Sequence, residues 1–174
     1  MEIRFIDSDY NELFCVPDGS NIIVTGFDGS FCPRRCTYID DTHARIGYEV
    51  YHICQFAELM ESAGCTYAPE GGSADTYEIY QIPHDSGVDY IFRDYESVYD
   101  HVNAADYRRV YAAMLAPSLT LDAIYWRHNR DDRPFGRRMR SLSVSDVIVT
   151  TRGGERKAYY VDSIGFRELP AFLT

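Results

Sequence analysis

Between Arg140 and Leu173 the chain reads RSLSVSDVIVTTRGGERKAYYVDSIGFRELPAFL, and this stretch leaves little choice of local fold. A β-branched run, Val147-Ile148-Val149, faces a second apolar and aromatic run, Ala158 to Val161, across Gly153-Gly154. A Gly-Gly pair supplies the positive φ angles that a tight hairpin turn requires, so the two runs predict adjacent antiparallel strands. Phe166, Leu169 and Phe172 follow as a clasp that closes over the core beside the hairpin. Ser141, Ser143 and Ser145 alternate with Leu142 and Val144, a polar-out, apolar-in edge.

The remaining sequence divides into two units. In residues 1–69, two short apolar groups (Ile3, Phe5, Ile6 and Leu13, Phe14, Val16) precede the turn Pro17-Asp18-Gly19-Ser20. Asn21 to Thr25 reads as a strand, Asp28-Gly29 as a hairpin turn, and Cys36 to Ile39 as the returning strand, with Pro33 outside its ladder. From Tyr51 the apolar period lengthens to about 3.6. Tyr51, Cys54, Phe56, Ala57, Met60 and Ala63 then predict one amphipathic helix, with Gly64 as its left-handed C′ residue. Residues 70–76 lie in the small-residue stretch APEGGSADT and read as a linker. In residues 77–174, Tyr77 to Ile82 and Val88 to Phe92 predict strands, and Tyr95 to Val102 a helical turn or two. Asp106 to Leu115 predicts a helix ended by Pro117, and Leu119 to Trp126 another, capped by Thr120. These elements predict an α+β fold of two small modules, each a short antiparallel sheet with one or two packed helices.

Charge is distributed unevenly between the units. The net charge is −10, and Met1 to Glu70 holds four Arg against twelve Asp and Glu, whereas residues 77–174 hold thirteen cationic against fourteen acidic side chains. A surface of that sign repels phosphate on average and argues against general affinity for nucleic acid. The exception is Arg127 to Arg140, RHNRDDRPFGRRMR, with six Arg against two Asp. Sixteen Arg stand against the single Lys157, a skew that suits planar, bidentate interface contacts and that genome composition also produces. Five cysteines, an odd number, fit thiols in a reducing compartment. No apolar run approaches the ~18 residues of a membrane span, and the first residues are too charged for a signal peptide. A cytoplasmic protein without membrane contact is the expectation.

Several constellations invite chemistry. Cys32 and Cys36, with His43, His52 and Cys54, offer a zinc set, although C-x₃-C is looser than the usual spacing and cysteines are commonly buried as small hydrophobes. Cys54 and His52 stand two apart in the helical stretch, where side chains do not face one another, which excludes them as a nucleophile and its base. Ser141, Ser143, Ser145 and Asp146 form a hydroxyl cluster for which His128 or His101 would be the base. Against it, Ser-Asp before a strand commonly makes turn bonds to backbone. No catalytic residue and no cofactor is assigned. The acidic pairs Asp7/Asp9 and Asp40/Asp41 present carboxylates to a basic groove in the manner of phosphates. Arg127, Arg130, Arg133, Arg137, Arg138 and Arg140, beside Phe135, have three uses: phosphate contact, a protein-interface anchor, or pairing with the acidic unit.

SLSVSDVIV and AYYVDSIGFRELPAFL, with YEIYQI, YRRVYAAMLAPSLTLDAIYWRHN and FGRRMRSLS upstream, resemble the YodL-like domain over about Tyr77 to Leu173. IRFIDSDYNELFCVPDGS, CTYIDDTHARIG and YHICQFAELMESAG resemble a large polyvalent protein-associated domain. The resemblance implies an accessory protein of bacterial conjugative elements or phages. From that context comes the expectation of a non-enzymatic counter-defence factor that binds a host nuclease, such as a CRISPR effector or a restriction enzyme, through its acidic and Arg-rich surfaces. The alternative is a nucleic-acid-binding module that uses the Arg127–Arg140 loop.

Overall fold

A computed structural model describes all 174 residues. The first unit contains β1 (Glu2–Ile6), β2 (Glu12–Pro17), β3 (Asn21–Thr25), β4 (Phe31–Tyr38), β5 (His43–Ile46), β6 (Glu49–His52), α1 (Ile53–Ser62) and β7 (Thr66–Pro69). The second contains β8 (Thr76–Gln81), α2 (Tyr95–Val98), β9 (Arg108–Met114), α3 (Leu121–Arg127), β10 (Val147–Arg152), β11 (Glu155–Val161) and β12 (Phe166–Glu168). Strands β1 and β2 pair as a hairpin, and the others form two antiparallel sheets, ordered β6-β5-β4-β3-β7 and β12-β11-β10-β8-β9. The fold is α+β, as the alternation of short strands and capped helices predicts.

In the first unit, α1 turns Phe56 and Ala57 inward against Phe5, Val16, Ile22, Val24 and Tyr67. The Phe56 ring lies 5.4 Å from Phe5 and 5.0 Å from Tyr67, and burying a side chain of this kind stabilises by roughly 1.5–3 kcal/mol. The helix stops at Gly64, whose φ of +66° any side chain would strain.

The second sheet is covered on both faces. Tyr77, Ile79, Ile148 and Val161 meet Ile124 of α3 on one side, and Val147, Val149, Ala158 and Tyr160 meet Tyr90, Val98, Tyr107 and Leu169 on the other. Consecutive residues Val147, Ile148 and Val149 are therefore all fully buried, as a central strand requires. The hairpin turns at Gly153 (φ +56°) and Gly154 (φ +82°), as its sequence demands. The clasp is present: Leu169 is buried, and Phe172 packs edge-on against Tyr80 at 5.4 Å.

Three local expectations are corrected. Asp106 to Leu115 is not a helix but contains β9, paired with β8. Its run Tyr111 to Ala116 is buried without a break, because the first unit covers the face that solvent would otherwise reach. A strand buried on both sides loses its period of two and then imitates a buried helix. Val88 to Phe92 is not a strand but a series of turns, with Phe92 left-handed at φ 65°. Pro33 lies inside β4, opposite Ile23. It is tolerated there because β5 pairs only with Cys36 to Tyr38, leaving the other edge of β4 open around the proline.

The two units meet along β9 and the end of α1. Met114 belongs to the first unit's core, the Tyr111 hydroxyl donates to the Glu61 carbonyl at 2.7 Å, and Phe27 packs on Phe135 at 5.0 Å. No helix is long and apolar enough to cross a membrane.

Candidate functional site

A polar groove runs along this junction. Ser8, Asp9, Glu58, Glu61 and Ser62 form one wall, and Arg127, Arg130, Asp132, Arg133, Pro134 and Phe135 the other. α1 supplies Glu58 and Glu61 at i and i+3, which places both on one helix face. α3 ends at Arg127, so the Arg-rich loop begins where the chain leaves this helix, and its first part faces the acidic wall.

The central contact is Arg127 to Glu61 at 2.9 Å. Burial pushes the Glu61 carboxyl above its ordinary range, with Arg127 and then Arg130 opposing that shift. Behind it, His128 is fully buried with Nε2 at 2.9 Å from the Tyr77 hydroxyl. Burial, reinforced by Arg127, Arg133 and Arg130, lowers His128 to about 3, so the ring is neutral at physiological pH.

The residues singled out from sequence divide into bound and free groups. Asp7 folds its own turn, accepting from the amides of Asp9 and Asn11, both at 2.9 Å. Asp9 is exposed on the groove wall. Asp40 and Asp41 lie elsewhere, in a patch with Glu2, Arg4, Tyr38 and Ile53. Asp40 accepts from the Thr42 and His43 amides, bonds that help hold it down to about 2, and Asp41 accepts from the Tyr38 hydroxyl at 2.7 Å. Arg130 pairs with Asp132 at 3.1 Å, and Arg133 donates to the Gly136 carbonyl at 3.3 Å. Arg138 lies over the Phe135 ring at 5.3 Å. Arg137 is exposed and has no ion-pair partner. Arg140 is turned inward, donating to the Ile82 carbonyl and to Asp146.

The structure brings Asp9 together with Arg127, Arg130 and Arg133 and leaves Arg137, Arg138, Arg140, Asp40 and Asp41 apart, so the acidic face has two separate parts. Sequence alone does not single out Glu58 and Glu61; Glu61 stands four residues after buried Ala57, on the same side of α1, where a carboxylate looks like an interruption of the core face. The hydroxyl cluster serves the backbone. Ser145 is buried at φ 83° and its Oγ accepts from the Phe92 amide at 2.8 Å, while Asp146 accepts from the Ser143 amide at 2.9 Å. His101 sits beside Asp100 and His128 beside Tyr77, so neither serves a serine. Cys36 is buried and Cys32 exposed, and no three His, Cys, Asp or Glu side chains converge on a common point.

One exclusion is overturned. His52 stands outside α1 as its N-cap, with ψ 139°, and its ring turns back over the first turn to place Nδ1 2.9 Å from Cys54 Sγ. The spacing rule for helical neighbours does not apply to a capping residue.

A family model described as the YodL-like domain matches residues 76–172. The chain belongs to the YodL-like domain family. The matched region begins at β8 and ends in the clasp, so it spans the whole second sheet, α3 and the arginine loop. No curated protein and no solved structure matches the chain. The acidic unit, with Asp9, Glu58 and Glu61, lies outside the YodL-like match, and the groove is therefore built half by the YodL-like domain and half by what precedes it.

Proposed function

We propose that the chain is a non-enzymatic binding protein that presents its acidic unit to the basic surface of a protein partner. We propose further that it is an accessory factor of a bacterial mobile element, its first unit a polyvalent protein-associated domain, and that the partner is a host nuclease effector of the CRISPR or restriction kind. The supporting observation is the way charge is used. Ten of the twelve carboxylates between Met1 and Glu70 are exposed, while Arg127 and Arg140 are committed to internal partners. The available field at the first unit's surface is negative, and such a field steers a basic partner and disfavours competitors of like charge.

The test is co-elution with purified nuclease effectors together with a cleavage assay. Binding should slow cleavage, and reversing Glu2 and Asp9 to Lys, both exposed and without side-chain partners, should weaken the effect while leaving the thermal midpoint nearly unchanged. If no effector binds or is slowed, the proposal fails.

A second reading, a nucleic-acid-binding module, draws on Arg137 and Arg138, which are exposed beside Phe135. Replacing both by Ala should alter stability by no more than about 0.5 kcal/mol. It should also flatten the slope of log affinity against log salt by about 1 for each phosphate no longer neutralised. Absence of binding to DNA and RNA at low salt would remove this reading.

A further inference from the structure

A nucleophile and a base lie within bonding reach at the opposite end of α1 from the groove, and the partner-binding reading makes no use of them. We propose that Cys54 is a reactive-thiol site, with His52 as its base, that accepts low-molecular-weight disulfides by thiol–disulfide exchange.

The assignment of the base follows from two bonds to one atom. His52 Nδ1 lies 2.9 Å from Cys54 Sγ and also accepts the Cys54 backbone N–H at 3.2 Å. An amide nitrogen can only donate, so Nδ1 carries the ring's lone pair and the ring proton resides on Nε2. The mobile proton between sulfur and ring is the thiol's, and it shares the Nδ1 lone pair with the Cys54 amide, which lies at the longer distance. This is the arrangement in which a base activates a sulfur nucleophile.

The pair is held in place from behind. His43 stands opposite His52 across β5 and β6, with their rings edge-on at 5.3 Å. His43 Nδ1 is fixed in turn by Thr42 at 2.8 Å and Asp40 at 3.2 Å. Cys54 is the second residue of a ten-residue helix, directly after the cap that His52 forms. It is partly exposed, so a small reagent can reach it.

The other four thiols have no such base. Cys15 donates to Glu12, and Cys32 and Cys65 to backbone carbonyls, while Cys36 is fully buried. Burial raises Cys15, Cys36 and Cys65 above the ordinary thiol range.

In the exchange, His52 Nδ1 takes the thiol proton as Sγ attacks one sulfur of a disulfide RSSR. The new S–S bond forms as the old one breaks, and the departing thiolate takes the proton back from His52. The products are the mixed disulfide and one RSH, with RSSR as the oxidant.

The experiment treats the full-length protein with glutathione disulfide or cystamine at pH 7 and follows each cysteine by peptide mass spectrometry. Cys54 should be modified about tenfold or more faster than the exposed Cys32. His52→Asn keeps a capping acceptor, and it should drop Cys54 to the rate of Cys32 without altering the circular dichroism spectrum. Equal rates for Cys54 and Cys32 in the unmodified protein would overturn the proposal, as would an unchanged Cys54 rate in folded His52→Asn. The Cys54/Cys32 comparison needs no variant, so the proposal can fail even if the variant does not fold.

Discussion

Replacing Asp146 by Ala should lower stability by about 3–5 kcal/mol, the cost of leaving a buried charge without its partner. Asp146 is fully buried. Its carboxylate accepts from Arg140 at 2.7 Å, Gln81 at 3.0 Å and the Ser143 amide at 2.9 Å. Arg140 in turn holds the Ile82 carbonyl at 2.8 Å. Removing the carboxylate strands the guanidinium and two further donors. A double replacement, Arg140→Met with Asp146→Leu, should cost less than Asp146→Ala alone, because it leaves no buried charge unpaired. Urea unfolding of the two variants and the unmodified protein decides this, and a double variant worse than the single one would show that the network, not the unpaired charge, dominates.

The same carboxyl gives a pH signature. Burial raises it from the ordinary 3.8 to about 6, against the opposing pull of Arg140, Ser143 and Gln81. A folded-state value above the unfolded one means that folding takes up a proton between those limits. This group's contribution is therefore fully present below about 4 and is lost as pH rises through about 6, by about 3 kcal/mol at ~1.4 kcal/mol per unit. Asp146→Asn should remove that component of the pH dependence of the urea midpoint and leave the rest of the profile in place.

The sequence announced the parts of the molecule whose pattern is local. Gly153-Gly154 between β-branched runs, Thr120 before α3 and Gly64 after α1 each specify a conformation through their own chemistry. Leu169 and Phe172 were placed in the clasp because apolar groups after a hairpin must be buried somewhere. What could not be read depends on contacts distant in sequence. β9 looked like a helix because Met114 and Tyr111 are covered by residues from a unit some fifty positions earlier, and no local periodicity records that cover. The fate of the arginines was hidden for the same reason. Arg127, Arg137 and Arg140 are equivalent in a sequence, yet one meets Glu61, one meets solvent and one meets Asp146. The pairing of His52 with Cys54 was hidden because the helical period starts at Tyr51, whereas α1 begins two residues later, at Ile53, and leaves His52 as its cap.

The largest consequence of the junction is that both units should unfold together, and Tyr111→Ala tests it. Tyr111 lies on β9 of the second unit, yet its hydroxyl bonds to the end of α1. A Cβ at Gly64 would come within 3.4 Å of its ring, which shows how closely the two units approach. Within its own unit the ring packs on His128 at 4.6 Å and Tyr77 at 5.8 Å. Truncating a buried aromatic of this size costs about 3–5 kcal/mol, and here the cavity would open onto both cores at once, since Met114 three residues on completes the first. Tyr111→Phe keeps the packing and leaves the Glu61 carbonyl short of a donor, so it should cost only ~1 kcal/mol. Labelling of buried Cys36 reports the first unit, and amide exchange at Ile148 and Val149 reports the second. In the unmodified protein the two probes should give one coincident transition, and in Tyr111→Ala both should move to lower denaturant by the same amount. If the Cys36 transition stays in place while that of β10 shifts, the residues at 70–76 join two independent domains, and the groove between Glu61 and Arg127 is a contact of surfaces that fold separately.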